Sequence, residues 1–260
     1  MKSSGKRNRR IFNIFNGTIM VVLMLIFILP FWMIVSASLT NNSILRAEGM
    51  SFLIKGFTFE AYSFLFSMSD LFVRSIFLTL FISSVTAFLS VVVCFLASFA
   101  LCRKQLVGRK FFNIYLLIPM YFGGGMIPTY LIIRGIGIYD TIWAHILPGL
   151  TSMYFIMLLR NYFYGLPASL EEAARLDGAG DFSVLFHIFL PLSMPMLVTL
   201  FLMSFVGKWN DWMTSLLYFG ATNQKYWTIQ YVLQQIIMDT ICDTCARKNR
   251  AVITRVNTFA

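Results

Sequence analysis

The sequence predicts an all-α polytopic membrane protein, and three observations carry that prediction. Of 260 residues, 58% are hydrophobic and only 12% charged, with 27 Phe and a mean hydropathy of +0.74. Soluble domains carry roughly twice that charged share. Five apolar stretches approach the roughly 20 residues that cross a bilayer core. The basic residues are gathered into particular connections, as in oriented membrane proteins. So few charges could not cover a water-soluble fold. A soluble enzyme, a disordered chain, a nucleic-acid-binding domain and a disulfide scaffold are excluded.

Residues 1–16 form a basic head with Lys2, Lys6, Arg7, Arg9 and Arg10 and no acid. The first span, 17–39, has an uncharged stretch longer than the roughly 7–15 residues of a signal-peptide core. An uncleaved anchor is therefore expected, despite the cleavage-like Val35-Ser36-Ala37. In the extracytoplasmic loop 40–74, Arg46, Lys55 and Arg74 are balanced by Glu48, Glu60 and Asp70. The core, 75–210, holds the second to fifth spans at about 75–101, 111–133, 141–159 and 190–206. Its 102–110 connection carries Arg103, Lys104, Arg109 and Lys110 without an acid. The head, this connection and the 160–189 loop are accordingly placed in the cytoplasm.

Residues 211–260 are read as an extracytoplasmic segment and a polar tail. Asp211, Asn223, Gln224, Lys225, Gln230, Gln234 and Gln235 make 211–238 too polar to span, and 239–260 carries Arg247, Lys248, Arg250 and Arg255. Five spans would leave this basic tail outside, against the charge bias, unless a short reentrant piece intervenes.

Catalytic chemistry is not legible. No G-x-x-x-x-G-K-[ST] phosphate loop occurs. Gly123-Gly124-Gly125, between Pro119 and Pro128, reads as close helix packing with a kink. The alternative is an unwound stretch lining a pathway. His145 and His187 are too few for a metal cluster and read as hydrogen-bonded interior or interfacial groups. Cys242 and Cys245 form C-x-x-C with no second pair, while Cys94 and Cys102 read as small buried residues. No catalytic residue, metal or cofactor is expected.

The 160–189 loop is different in kind. It holds Glu171, Glu172, Asp177 and Asp181 against Arg160 and Arg175. Pro167 suits a helix start, acids follow near the positive end of the helix dipole, and Gly178 suits a left-handed cap. Leu170, Ala173, Ala174 and Asp177 share one face. A short helix with a small-residue face is predicted, open to docking by a partner or merely joining two spans.

Glu172-Ala173-Ala174, Gly178, Ile188, Leu190 and Pro191 match the spacing E-A-A-x3-G-x9-I-x-L-P. This resembles the motif of permease subunits of binding-protein-dependent ABC importers. Leu166-Pro167, Leu176-Asp177-Gly178-Ala179, Gly124 to Tyr130 and Tyr231 to Ile236 resemble its carbohydrate branch, including Gram-positive oligosaccharide or polysaccharide systems. The resemblance covers about residues 11–238.

The resemblance implies a mechanism. An ATP-binding subunit dimer would dock on the E-A-A helix, a second homologous permease would complete the pathway, and an extracytoplasmic sugar-binding protein would deliver cargo. Glu172 would meet a basic group of the ATPase, Ala173 and Ala174 would give close contact, and Asp177 and Gly178 would lead into the turn. Trp209-Asn210 matches a common W-N pair of that branch. It reads either as sugar-contacting or, preferably, as an interfacial aromatic belt. The family has six spans, so the resemblance implies a missing last helix, the chain departing at about Met238.

Overall fold

The computed structural model describes residues 4–67, 69–103, 106–220 and 223–239. Lys104, Cys242, Cys245 and the tail from residue 240 onward lie outside the described residues. The chain divides into two compact units, 1–70 and 71–260.

The first unit begins with α1, Ser4–Ser38, a helix of 35 residues, basic in its first turns and predominantly apolar all round from Phe12 on. Its described side chains are exposed along nearly the whole length. A helix hydrophobic all round is soluble only in a core or a bilayer, and Phe12–Ser38 is long and apolar enough to cross a membrane. At its end Thr40 pairs with Phe57 in an isolated bridge, Trp32 donates its indole N–H to the Phe52 carbonyl at 3.0 Å, and the Ser38 and Tyr62 hydroxyls meet at 3.1 Å. These bonds fold the loop back on the helix end. The loop carries α2, Asn42–Glu48, capped by the Asn41 side chain, and α3, Glu60–Ser67.

The second unit is organised by α4, Ser69–Cys102, whose apolar length spans Asp70–Cys102. One face carries small polar residues at helical spacing, among them Ser75, Thr79, Thr86, Ser90, Cys94 and Ser98, all essentially buried. Small side chains let helices approach closely in lipid. Gly149 exploits this: a Cβ there would lie 2.9 Å from Thr86 Cγ2. The same face binds α8, Met153–Tyr164, through a ladder of constant offset. Cys94 donates to the Ser152 carbonyl at 3.8 Å, Ser98 to Ile156 at 2.9 Å and Cys102 to Arg160 at 3.6 Å. Three rungs one turn apart lock two parallel helices in register.

The third and fourth expected spans are not continuous helices. Residues 111–133 become α5, Arg109–Tyr121, and α6, Met126–Gly135, bent by 114°. The break is the glycine run, unwound, with Gly125 at φ +85°. A Cβ on Gly123 or Gly125 would meet nothing within 4 Å, and on Gly124 only Pro128 at 3.8 Å. Close packing around the glycines is thus corrected in favour of the unwound reading: their role is conformational. Residues 141–159 divide into α7, Trp143–Ile146, a 3₁₀ turn at Leu147–Gly149 holding Pro148, and α8. Pro148 donates no backbone hydrogen bond, and the helix breaks there.

The fifth expected span is longer than 190–206. Helix α10, Asp181–Val184, leads through a π-helical turn, Leu185–Phe189, into α11, Leu190–Trp209. Among the described residues three helices are long and apolar enough to cross a membrane, or four if the bent pair is one span, against the five expected. Helix α12, Met213–Phe219, follows. The segment expected to be an extracytoplasmic connection continues into α13, residues 229–239, with Ile229, Tyr231 and Val232 buried. The Ile229 N–H donates to Thr79 Oγ1 at 2.9 Å, tying this helix start to α4.

Two apolar clusters result. The larger joins α4, α8 and the α10–α11 turn around Phe95, Phe99, Phe163 and Phe189, packed edge to face at 5.1–5.7 Å. The smaller joins Ile133, Ala144, Tyr218 and Phe219.

Candidate functional site: the 160–189 loop

Helix α9, Ala168–Leu176, forms the centre of the loop. Pro167 precedes its first residue, one place earlier than expected, with acids in the first turn and Arg175 in the last. Gly178 sits at φ +85°. Its N–H bonds the Arg175 carbonyl at 3.1 Å, and the Ala179 N–H bonds that of Ala174 at 2.9 Å. This pair closes a Schellman motif, the left-handed cap expected of Gly178. The chain therefore reverses sharply into α10.

Four charges hold α9 down. Arg103, at the end of α4, pairs with Glu171 and lies 3.6 Å from Asp181, an ion-pair distance longer than a hydrogen bond. Arg175 bridges the same carboxylates at 3.0 and 2.7 Å. Two cations and two anions alternate, so the ring carries no net charge. Glu171 and then Asp181 accept hydrogen bonds from Arg175 and raise its pKa further. The Arg103 guanidinium also lies 4.0 Å above the Phe99 ring, a cation–π contact that anchors the ring of charges to the aromatic cluster. None of these roles was assigned from the sequence. The i,i+4 pair Glu171–Arg175 was readable, but Arg103 is 68 positions from Glu171.

The E-A-A residues divide by direction. Glu172, Ala173, Asp177 and Gly178 are exposed, and Glu172 makes no ion pair among the described residues. Ala174 instead packs on the larger cluster with Ala179, as do Ile188 and Leu190. The shared outward face expected for Ala173 and Ala174 is therefore corrected: 3.6-residue periodicity puts adjacent residues about 100° apart. Pro191 is exposed in the first turn of α11. Leu176, 89% exposed, and Phe182, 78% exposed, stand beside the charged tip.

Trp209 and Asn210 lie at the opposite end of α11. Phe201, Phe205 and Trp209 stack in sequence at 6.2 and 5.9 Å. The Asn210 amide donates to the Val206 carbonyl at 2.9 Å, and its oxygen accepts from Gln230 at 3.4 Å. Asp211 pairs with Lys208 at 2.6 Å and accepts the Thr214 N–H at 3.1 Å. Burial would raise the Asp211 pKa, but Lys208 and the Thr214 bonds outweigh it and leave the carboxyl below its ordinary value.

His145 is buried, bonded through Nε2 to the Tyr226 carbonyl at 3.0 Å and stacked on Phe219 at 4.5 Å, as an interior group. The His187 Nδ1 meets its own helix at the Ser183 carbonyl, 3.1 Å away. Among the described residues no group of metal-ligating side chains forms.

No protein-family model matches the chain. The polygalacturonan/rhamnogalacturonan transport system permease protein YtcP of Bacillus subtilis is 32% identical, over 88% of this chain and 79% of its own. Protein LplC of the same organism is 34% identical over 87% and 76%. The arabinooligosaccharides transport system permease protein AraQ of that organism is 26% identical over 76% and 72%. Among solved structures, a bacterial ABC transporter importing the acidic polysaccharide alginate superposes with a TM-score of 0.79 at 31% identity, covering 90% of this chain and 82% of that one. The apolar helices, the E-A-A spacing and these relatives converge: the chain is an integral membrane protein and belongs to the permease family of carbohydrate ABC transporters.

Proposed function

We propose that this chain is one permease subunit of an ATP-driven oligosaccharide importer, with its N-terminus in the cytoplasm. It lines part of the translocation pathway and receives force through α9 from a separate ATP-binding subunit dimer. A second homologous permease completes the pathway, and an extracytoplasmic sugar-binding protein delivers the cargo. Trp209 and Asn210 lie at the opposite end of α11, where an aromatic ring and an amide would meet an arriving sugar.

One observation carries this reading: α9 has an outward face of Glu172, Ala173, Leu176 and Asp177 and an inner side clamped by four charges. A helix built only to join two spans needs no such clamp. When ATP closes the partner dimer, α9 moves with it. The Arg103 contact passes that displacement to α4, and the Cys94, Ser98 and Cys102 rungs pass it to α8. The drive is the difference in contact free energy between the two states of the partner.

The test is capture of the ATPase by the full chain in detergent. Glu172→Lys should abolish copurification while leaving helicity unchanged. Full retention of the ATPase by that variant would remove Glu172 from the interface.

A further inference from the structure

Beside α9, a cavity of about 540 Å³ opens between the start of α5 and the end of α8, lined by Gly108, Arg109, Lys110, Asn113 and Arg160. Its lining holds three cations and no acid. Among the described residues none of the three is in an ion pair, whereas Arg103 and Arg175 nearby are fully neutralised.

The arrangement is built around one phenol. Tyr164 Oη accepts from Arg109 Nη2 and from Arg160 Nε, the latter at 3.0 Å. Both guanidiniums also flank its ring, at 5.7 and 5.3 Å. Two like charges gathered on one neutral oxygen repel each other, and an anion between them turns that repulsion into attraction. The first turn of α5 adds to the field: it contains no acid, and Gly108 offers no side-chain cap. Its amide N–H groups and the helix dipole favour negative charge there.

The surroundings select the kind of anion. Helix α5 has no buried residue. Phe111 and Tyr115 stack at 6.0 Å, and Phe112, Ile114 and Ile118 are exposed beyond them, so an apolar surface runs from the cations along the helix. Asn113 adds a buried side-chain oxygen without a partner, which a headgroup hydroxyl could satisfy. A free phosphate ion has no use for the apolar surface. An acidic protein segment would have to bury its own backbone along it.

We propose that this cavity binds the phosphodiester headgroup of an anionic phospholipid, with the acyl chains lying along α5. The proposal rests on reading the α9 end of the bundle as a membrane–water interface, where basic pockets between helices meet lipid headgroups. The lipid then sits next to α9, bridging α5 and α8 where force enters.

The experiment is native mass spectrometry of the full chain in a mild detergent, titrated with phosphatidylglycerol or phosphatidylcholine of identical acyl chains. Phosphatidylglycerol should be retained preferentially. Each cation removed should weaken its retention about fivefold, so Lys110→Gln loses about fivefold and Arg109→Gln/Lys110→Gln about 25-fold. Lys110 is exposed and makes no hydrogen bond or ion pair among the described residues, so its variant keeps the test meaningful if the double variant unfolds. Equal retention of both lipids, or retention unchanged in Lys110→Gln, would overturn the proposal. Displacement by excess inorganic phosphate would also overturn it, by assigning a free-anion site. Glu172→Lys should retain the lipid normally, which separates failure here from failure of the coupling role.

Discussion

Replacing Arg103 by Gln removes the one cation that, among the described residues, joins α9 to α4. The Arg103 side chain is 16% exposed and that of Glu171 30%. Breaking a buried pair costs roughly 3–5 kcal/mol, whereas an exposed pair contributes about 0–1 kcal/mol. Glu171 keeps Arg175 at 3.0 Å, which holds the loss well below the buried limit. Losing the guanidinium 4.0 Å above Phe99 adds about 1 kcal/mol. The expected weakening of the α9 clamp is about 2 kcal/mol, or roughly 30-fold in local opening. Hydrogen exchange of the α9 amides in the detergent-solubilised chain reads this directly. Arg103→Gln should accelerate exchange across 168–176 and leave the α4 and α8 amides protected. An α9 rate within about twofold of wild type would refute the clamp. Equal acceleration in α4 and α8 would refute it too, by making Arg103 a support of the whole bundle. Glu171→Gln should act in the same direction.

Three further outcomes follow from single positions. Gly149→Ala should destabilise the bundle by about 1–3 kcal/mol through overpacking against Thr86; Thr86→Ser should recover most of it in thermal melts, and independent, additive effects would deny the contact. A Cβ at Gly178 meets nothing within 4 Å, so the cost of Gly178→Leu is chiefly that of the left-handed backbone, about 1–2 kcal/mol. It should lower sugar uptake per ATP hydrolysed in reconstituted vesicles, with Gly178→Asn milder; an unchanged ratio would count against the cap. For Asp211 the folded-state pKa lies below its ordinary value of 3.8, so its contribution is present above that pH and lost as the pH falls through the folded value. The difference in melting temperature between wild type and Asp211→Asn should therefore be present at neutral pH and vanish in strong acid.

How far the sequence reached depended on the range of the interaction. Composition settled the bilayer, because solvation of side chains is a property of each residue alone. The E-A-A spacing identified the loop, and Gly178 revealed the cap, since a Schellman turn uses residues within one helical turn. The glycine run at 123–125 is visible in the sequence, but packing and unwinding place the same residues there, and only the surroundings in the fold separate the two. Ala173 and Ala174 are identical in chemistry, and tertiary packing alone decides which of them faces the core.

Residues far apart in sequence tell the rest. The sequence by itself determined an α-helical membrane permease carrying an E-A-A loop, because hydropathy, helix capping and motif spacing are local. The tertiary structure decided that Arg103 meets Glu171 across 68 positions, that Ser98 meets Ile156 across 58, and that Arg109 meets Tyr164 across 55. Each of these depends on the register between helices, which is fixed by many small packing and hydrogen-bond terms at once rather than by any one segment.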